Sequence, residues 1–277
     1  MDRLNAAGLV PDHGLWLKPR WVKDIKIKGD LDTARRALAP LEDQIDIIVQ
    51  PEDHRRKMLL VSDMDSTMIT VECIDELADY AGIKPEIAAI TNRAMAGELD
   101  FTEALKARVA LLEGLDEGVI AECLHNRVRP MPGAVQLVQT MAAWGAHSVM
   151  VSGGFTSFAE PIAEQIGLSE AHANVLEIKD GKLTGKLVGK IIDAIAKRVV
   201  LDTAVASRGL SMQQALVVGD GANDLPMIAA AVCGQGLGTA YHPRPLLAEA
   251  SNFAVRHGDL TALLYAQGVA QQDWASA

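Results

Sequence analysis

Two aspartates, Asp63 and Asp65, stand two residues apart in the segment Val61-Ser-Asp-Met-Asp-Ser-Thr67, at the end of an apolar run. A bend just after a strand can turn both carboxylates into one pocket in different roles. One can attack phosphorus as a nucleophile, and the other can serve as acid to the leaving alkoxide and base to the hydrolytic water. Charge is the obstacle: two unit anions about 4 Å apart repel by roughly 4 kcal/mol at an effective dielectric of 20. A phosphate dianion facing a carboxylate is worse, so a hard cation is needed. Magnesium takes oxygen ligands, usually one or two carboxylates together with phosphate and water. Asp63 and Asp220 are the expected protein ligands, with Asp224 acting behind them or through water. The rest of the phosphate charge needs donors. Ser152 and the Gly153-Gly154 backbone offer hydroxyl and amide groups, and Lys197 offers a cation.

These residues need elements that bring them together. Met58-Leu-Leu-Val-Ser-Asp63, His147-Ser-Val-Met-Val-Ser-Gly-Gly154 and Ala215-Leu-Val-Val-Gly-Asp-Gly221 are short apolar runs ending in Ser, Gly or Asp. Continuous apolar runs suit strands covered on both faces of a parallel sheet. Helical patterns at Ala134 to Ala143, Phe158 to Ile166 and Ile191 to Ser207 supply the crossovers. The fold class is therefore α/β, with a doubly wound parallel-sheet core. Ligands of such sheets bind beyond the carboxyl ends of the strands, where Asp63, Ser152 and Asp220 would converge. About 70–128 form a long excursion at helical spacing, read as a helical cap inserted after the first core strand. Val175 to Val188 alternate around Asp180-Gly181, a good turn for a small β-hairpin insert.

Ahead of the core, 21–28 alternate, Asp30 can cap a helix over Leu31 to Leu41, and Gln44-Ile-Asp-Ile-Ile-Val-Gln50 alternates again. This predicts a small strand-helix-strand region over 1–57, joined by the charged stretch Pro51 to Lys57 to a main domain over 58–277.

The composition narrows the partners. With 277 residues, 49% hydrophobic and 22% charged, and a net charge of -10, the chain has no broad basic face for nucleic acid or an anionic membrane. Three scattered cysteines, Cys73, Cys123 and Cys233, fit neither a disulfide framework nor zinc spacing, and the start lacks a secretory pattern. A soluble cytoplasmic protein is expected. None of the seven histidines has metal-ligand spacing, His242 reads as structural, and Gly234-Gln-Gly-Leu-Gly238 reads as a turn.

Asp63-Met-Asp-Ser-Thr67, Ser152-Gly-Gly-Phe155, Lys197 and Gly219-Asp-Gly-Ala-Asn-Asp-Leu-Pro-Met227 resemble the four ordered motifs of the haloacid dehalogenase superfamily. In the cap, Glu72-Cys-Ile-Asp-Glu-Leu-Ala78, Met95, Gly97, Phe101 and Arg108-Val109 resemble the substrate-recognition pattern of its phosphoserine phosphatase family, and the likeness extends to about 265. The resemblance implies a magnesium-dependent hydrolysis of O-phospho-L-serine through an aspartyl-phosphate, the last step of serine biosynthesis. It implies that Asp63 is nucleophile and metal ligand, that Asp65 is acid and base with its backbone carbonyl on magnesium, and that Asp220 is the third protein ligand. Ser152, Gly153 and Lys197 would hold the phosphoryl group, with Asn223 on the phosphate side of the pocket. Glu72 would meet the substrate ammonium and Arg108 its carboxylate, and Met95 and Phe101 would be cap contacts. An anion and a fork-shaped cation suit a zwitterionic head group. Two alternatives use the same acidic centre: a phosphatase or phosphotransferase acting on another small monoester, and a non-catalytic phosphoacceptor. No pattern in the sequence sets the number of subunits.

Overall fold

The computed structural model describes residues 1–95 and 98–275. Helix α1 (Asp2–Ala6) is followed by short strands β1 (Val10–Pro11), β2 (Leu15–Lys18), β3 (Val22–Asp24) and β4 (Ile27–Lys28), then helix α2 (Leu31–Leu38). β1 pairs with β4 and β2 with β3, both antiparallel. As expected, Asp30 caps α2, accepting from the Thr33 amide at 2.7 Å.

The strand expected over 21–28 is split into β3 and β4, and the one expected over 44–50 does not form. The reason lies in what Asp46 binds. Its carboxylate accepts from the amides of Arg256 at 2.6 Å and Gly258 at 2.7 Å, which lays this segment along the main body instead of beside a strand. Val49 packs with Leu4, Leu9 and Ala34 in a small core of their own.

The main body opens with β5 (Leu59–Ser62), fully buried. Four helices follow: α3 (Cys73–Ala81), α4 (Lys84–Met95), α5 (Phe101–Ala110) and α6 (Gly118–Asn126). They are the cap. The chain leaves and re-enters the core side by side, with Thr70 donating to the Arg129 carbonyl at 3.1 Å and Met131 to that of Met68 at 2.8 Å. Then come α7 (Ala134–Ala143), β6 (His147–Phe155), α8 (Thr156–Ile166), β7 (Glu170–Lys179), β8 (Lys182–Val188) and α9 (Ala194–Ser207). The chain closes with β9 (Ala215–Gly219), α10 (Leu225–Cys233), β10 (Leu237–Tyr241), α11 (Pro245–Ala250), β11 (Phe253–Val255) and α12 (Ala262–Ala266).

Seven strands form one sheet in the order β11-β10-β9-β5-β6-β7-β8, parallel throughout except for β8. The strand order reverses at β5, with β6 added on one side and β9 on the other, where a doubly wound sheet opens a crevice. One apolar cluster packs the cap side and α7, α8 and α12, and a second packs α9 and α10 on the opposite face. Covering on both faces explains why β5 and β9 are buried at every position and apolar at all but Ser62. The hairpin forms around Asp180 (φ 51) and Gly181 (φ 74), the left-handed pair a two-residue turn requires. Its first strand also extends the main sheet, since β7 pairs with β6 over Glu170 to Asn174. The turn at Gly234 ends earlier than expected, because Leu237 and Gly238 already belong to β10. No helix among the described residues is long and apolar enough to cross a membrane.

Candidate active site

β5 and β9 are hydrogen-bonded neighbours, so Asp63 and Asp220, each the first residue past its strand, come together without any long-range search. Asp63, Asp220 and Asp224 each bring a carboxylate oxygen within 4.8 Å of the others. Asp63 is buried, and its Oδ1 accepts from the Met64 amide and from Lys197 Nζ, each at 2.7 Å. That leaves Oδ2 with no donor among the described residues.

Lys197 projects from the first turn of α9, whose N-terminus is capped by Asp193, and is itself buried. Its Nζ also lies 2.7 Å from Asp224 Oδ1. Burial pushes the ammonium toward neutrality, but Asp224 and Asp63 together outweigh it and hold the proton more tightly than usual. Asp224 is spent on protein. Its other oxygen accepts from the amides of Asp220 and Gly221, both at 3.1 Å. It therefore fits the position behind the metal and not a direct ligand. Gly219 must be glycine here, since a Cβ would sit 2.3 Å from Asp224 Oδ2.

The group fits a hard divalent ion on its own chemistry. Three carboxylates face one lysine, and the donors are all oxygen. Burial first, and Asp63 second, push Asp220 up to about 7, the mark of a carboxylate short of positive charge. Among the described residues no donor reaches the Asp65 backbone carbonyl, so it remains available as a ligand.

Asp65 lies half-buried at the base of the cap. Its Oδ1 accepts from the Cys73 amide at 3.1 Å, the first turn of α3. Burial and then Glu72 push its carboxyl up to about 8, against the opposing pull of that hydrogen bond. Glu72 keeps surface open to the cleft though protein crowds it closely. It accepts from Ser66 Oγ at 2.7 Å, and burial raises its carboxyl above the usual range. Arg108, half-buried on α5, feels Asp75, Glu72 and Asp65, while burial lowers its guanidinium. Its Nε donates to the Ala104 carbonyl at 3.3 Å, leaving the terminal nitrogens for other partners.

Ser152 is buried in the C-terminal half of β6. Its Oγ accepts from the Gly154 amide at 2.8 Å, which frees the hydroxyl proton to donate elsewhere. The two glycines that follow are needed for closeness. A Cβ on Gly153 would lie 2.9 Å from the Phe101 ring, and one on Gly154 would lie 2.9 Å from Asp65 Oδ2. Phe101 therefore rests directly on Gly153. Asn223 sits half-buried on the turn after β9, beside Gly221. The side chain of Met95, and Gly97, lie outside the described residues.

Three further residues shape the site and were not singled out in the sequence. Ser66 orients Glu72, and Thr67 Oγ1 lies 3.4 Å from Asp220 Oδ1. Both sit in the first motif, so their spacing from Asp63 could have drawn notice. Asn174 is buried, donating to the Gly153 carbonyl at 2.9 Å and accepting from the Ile192 amide at 2.8 Å. One asparagine in an alternating strand carries no signal of that kind.

A model of the haloacid dehalogenase-like hydrolase family matches residues 60–229. A phosphoserine phosphatase of a Polaromonas species is 45% identical over 211 residues, spanning 74% of this chain and 88% of that protein. Among solved structures, an unliganded probable phosphoserine phosphatase from Vibrio cholerae superposes with a TM-score of 0.73 at 35% identity, covering 91% of this chain and 78% of its own. A phospho-aspartyl intermediate analogue of phosphoserine phosphatase, also 35% identical, superposes with a TM-score of 0.69 over 76% of this chain and 98% of its own.

Proposed function

The chain belongs to the haloacid dehalogenase-like hydrolases and to their phosphoserine phosphatase family, and from that membership we propose that it hydrolyses O-phospho-L-serine to L-serine and phosphate through an aspartyl-phosphate on Asp63. The observation that carries the substrate is the presence of opposite charges near the nucleophile: Glu72, at the N-cap of α3, feels Asp63 and Arg108, and Arg108, on α5, feels Glu72 and Asp65. The head group of phosphoserine has the matching ammonium and carboxylate. Residues 58–277 form the catalytic unit in this reading, and the protein works in the cytoplasm.

Magnesium is the proposed cofactor, held by Asp63, Asp220 and the Asp65 carbonyl; when bound it would neutralise phosphate charge and orient the ester for in-line attack. The protein's own groups do the rest. Ser152 donates its hydroxyl, and the Gly153 amide adds a backbone donor, to the phosphoryl oxygens. Lys197 holds Asp63 in place and offers its remaining proton to the same charge. Asn223 lines the phosphate side. Asp63 forms a bond to phosphorus as the bond to the serine oxygen breaks, and Asp65, still protonated near neutral pH, gives its proton to that oxygen. Asp65, now a carboxylate, takes a proton from the incoming water, whose oxygen displaces Asp63 from phosphorus. Phosphate leaves and both aspartates return to their starting state. Phe101 and the cap keep bulk water from the intermediate while serine is still present.

Phosphate release from phosphoserine, O-phosphoethanolamine and glycerol phosphate, each with magnesium and with chelator, tests the reading. Phosphoserine should be hydrolysed far faster than the other two, and only with the metal. Equal rates on all three would refute the substrate, and full activity in chelator would refute the cofactor. Transfer to added alcohols would point to a phosphotransferase, and stable phosphorylation without turnover to a phosphoacceptor.

A further inference from the structure

The hairpin β7–β8 is fastened to the cap on one side and to the phosphate loop on the other. On the cap side, the segment after α5 runs alongside β8 like an added strand. Gly114 donates to the Leu183 carbonyl at 2.8 Å, Leu183 to that of Leu115 at 2.9 Å, and Glu117 to that of Gly181 at 2.9 Å. Asp116 forms a β-bridge with Lys182. Leu183 is buried in the same apolar cluster as Leu105, Val109 and Leu112.

The strand reaches α5 because it is bent. Between Leu176–Leu187 and Ile178–Leu183 the pairing slips, so β8 carries extra residues there, and Thr184 Oγ1 binds Glu177 Oε2 at 2.7 Å across the bulge. Gly185 lies in it with φ +72. A Cβ there would be 3.0 Å from the Ala110 carbonyl oxygen and 3.0 Å from Glu113 Cβ, so any other residue would press on the last turn of α5 from a left-handed backbone that favours glycine. Arg108 is in that turn.

On the other side, β7 pairs with β6, Phe155 opposite Asn174, and Asn174 binds the Gly153 carbonyl. A continuous path of hydrogen bonds and close packing thus joins the loop of Ser152 and Gly153 to the helix that carries Arg108.

From this we infer that the hairpin sets the distance between the phosphoryl site and Arg108, with Gly185 as its positioning residue, and so determines how long a phosphorylated carboxylate the enzyme accepts. The inference rests on the assignment of Arg108 to the substrate carboxylate. It also implies that α5 stays fixed to the hairpin whether or not substrate is bound.

Two variants and one measurement test it. Gly185→Asn adds the crowding Cβ with a side chain that tolerates a left-handed backbone, and Gly185→Ala adds it with greater backbone strain. Both should raise KM for phosphoserine by roughly tenfold or more, as expected when a recognition group is displaced. Neither should change kcat/KM for O-phosphoethanolamine, which has no carboxylate. A mere loss of packing would lower both substrates together, and that result, like an unchanged KM for phosphoserine in a folded variant, would overturn the inference. Arg108→Ala separates the two levels: if it leaves KM for phosphoserine unchanged, the carboxylate assignment itself is wrong, whereas a raised KM there with no effect at Gly185 sinks the hairpin role alone. Hydrogen exchange on the wild-type enzyme needs no variant. The amides of Gly114 and Glu117 should be protected equally with and without substrate, and exchange at the rate of an open loop in the free enzyme would show that the hairpin lets the cap go.

Discussion

A carboxyl group crowded by protein beside Glu72 and held up to about 8 keeps its proton at neutral pH, where a free aspartate would have lost it. That prepares Asp65 for its proposed work as an acid before it becomes a base. Asp65→Asn should therefore lower kcat by about 10²- to 10⁴-fold in steady-state assays. Asp63→Asn should bring phosphate release below about a thousandth of wild type with an unchanged circular dichroism spectrum, because no other group is placed to accept the phosphoryl. The same buried acids affect stability. Asp65 at about 8 and Asp220 at about 7 both lie above the ordinary 3.8. Between those limits the metal-free native state binds more protons than the unfolded chain, so its stability falls as pH rises from roughly 4 to 8. A divalent cation favours the deprotonated forms. Adding magnesium should raise the thermal midpoint more at pH 8 than at pH 5.5, and a scan at both values checks this.

The elements matter through how closely they approach one another. The end of β6 before Phe155 carries two glycines because Phe101 of α5 lies on one and Asp65 on the other. Gly154→Ala would push against Asp65 Oδ2, so kcat should fall by about tenfold or more with little change in KM. Gly153→Ala would push against Phe101 instead and lift the cap, so KM should rise as well. Kinetics on the two variants would show whether the effects separate in this way. The capping box at Asp100 and Glu103, with Glu103 donating its amide to Asp100 at 2.7 Å, fixes the start of α5 and hence where Phe101 begins.

Over the whole molecule, the first 57 residues are held to α12 by a few specific bonds. Arg55 pairs with Asp24 at 2.6 Å and donates to the carbonyls of Ala266 at 2.9 Å and Tyr265 at 3.4 Å, and Gln50 reaches Ala266 as well. None of these groups touches the active site. Arg55→Ala should destabilise the fold by about 1–3 kcal/mol, since partly buried acceptors lose their donor, while kcat stays within roughly twofold; denaturation and steady-state assays together test the separation.

Much of this was legible in one sequence. The three apolar runs that end in Asp63, Ser152 and Asp220 specify strands, because a strand covered on both faces is built mainly from apolar residues, and side-by-side parallel strands must gather their carboxyl ends. The acidic pair, its need for a cation and the serine-glycine loop follow from residue type and order. So did the cap's existence, since its length and helical spacing exceed any crossover. Other features depend on contacts between distant segments. Asp46 reads as part of an alternating strand until Arg256 and Gly258 claim its carboxylate. Lys197 reads as a phosphate ligand, and only packing shows it already bridging Asp63 and Asp224. Asn174 and Gly185 have no local signature, because one acts on a loop 21 residues away and the other on a helix of the cap. The sequence by itself determined which groups can do the chemistry; the tertiary structure decided how far apart they stand, because hydrogen bonds and close approaches across the chain have no periodicity to betray them.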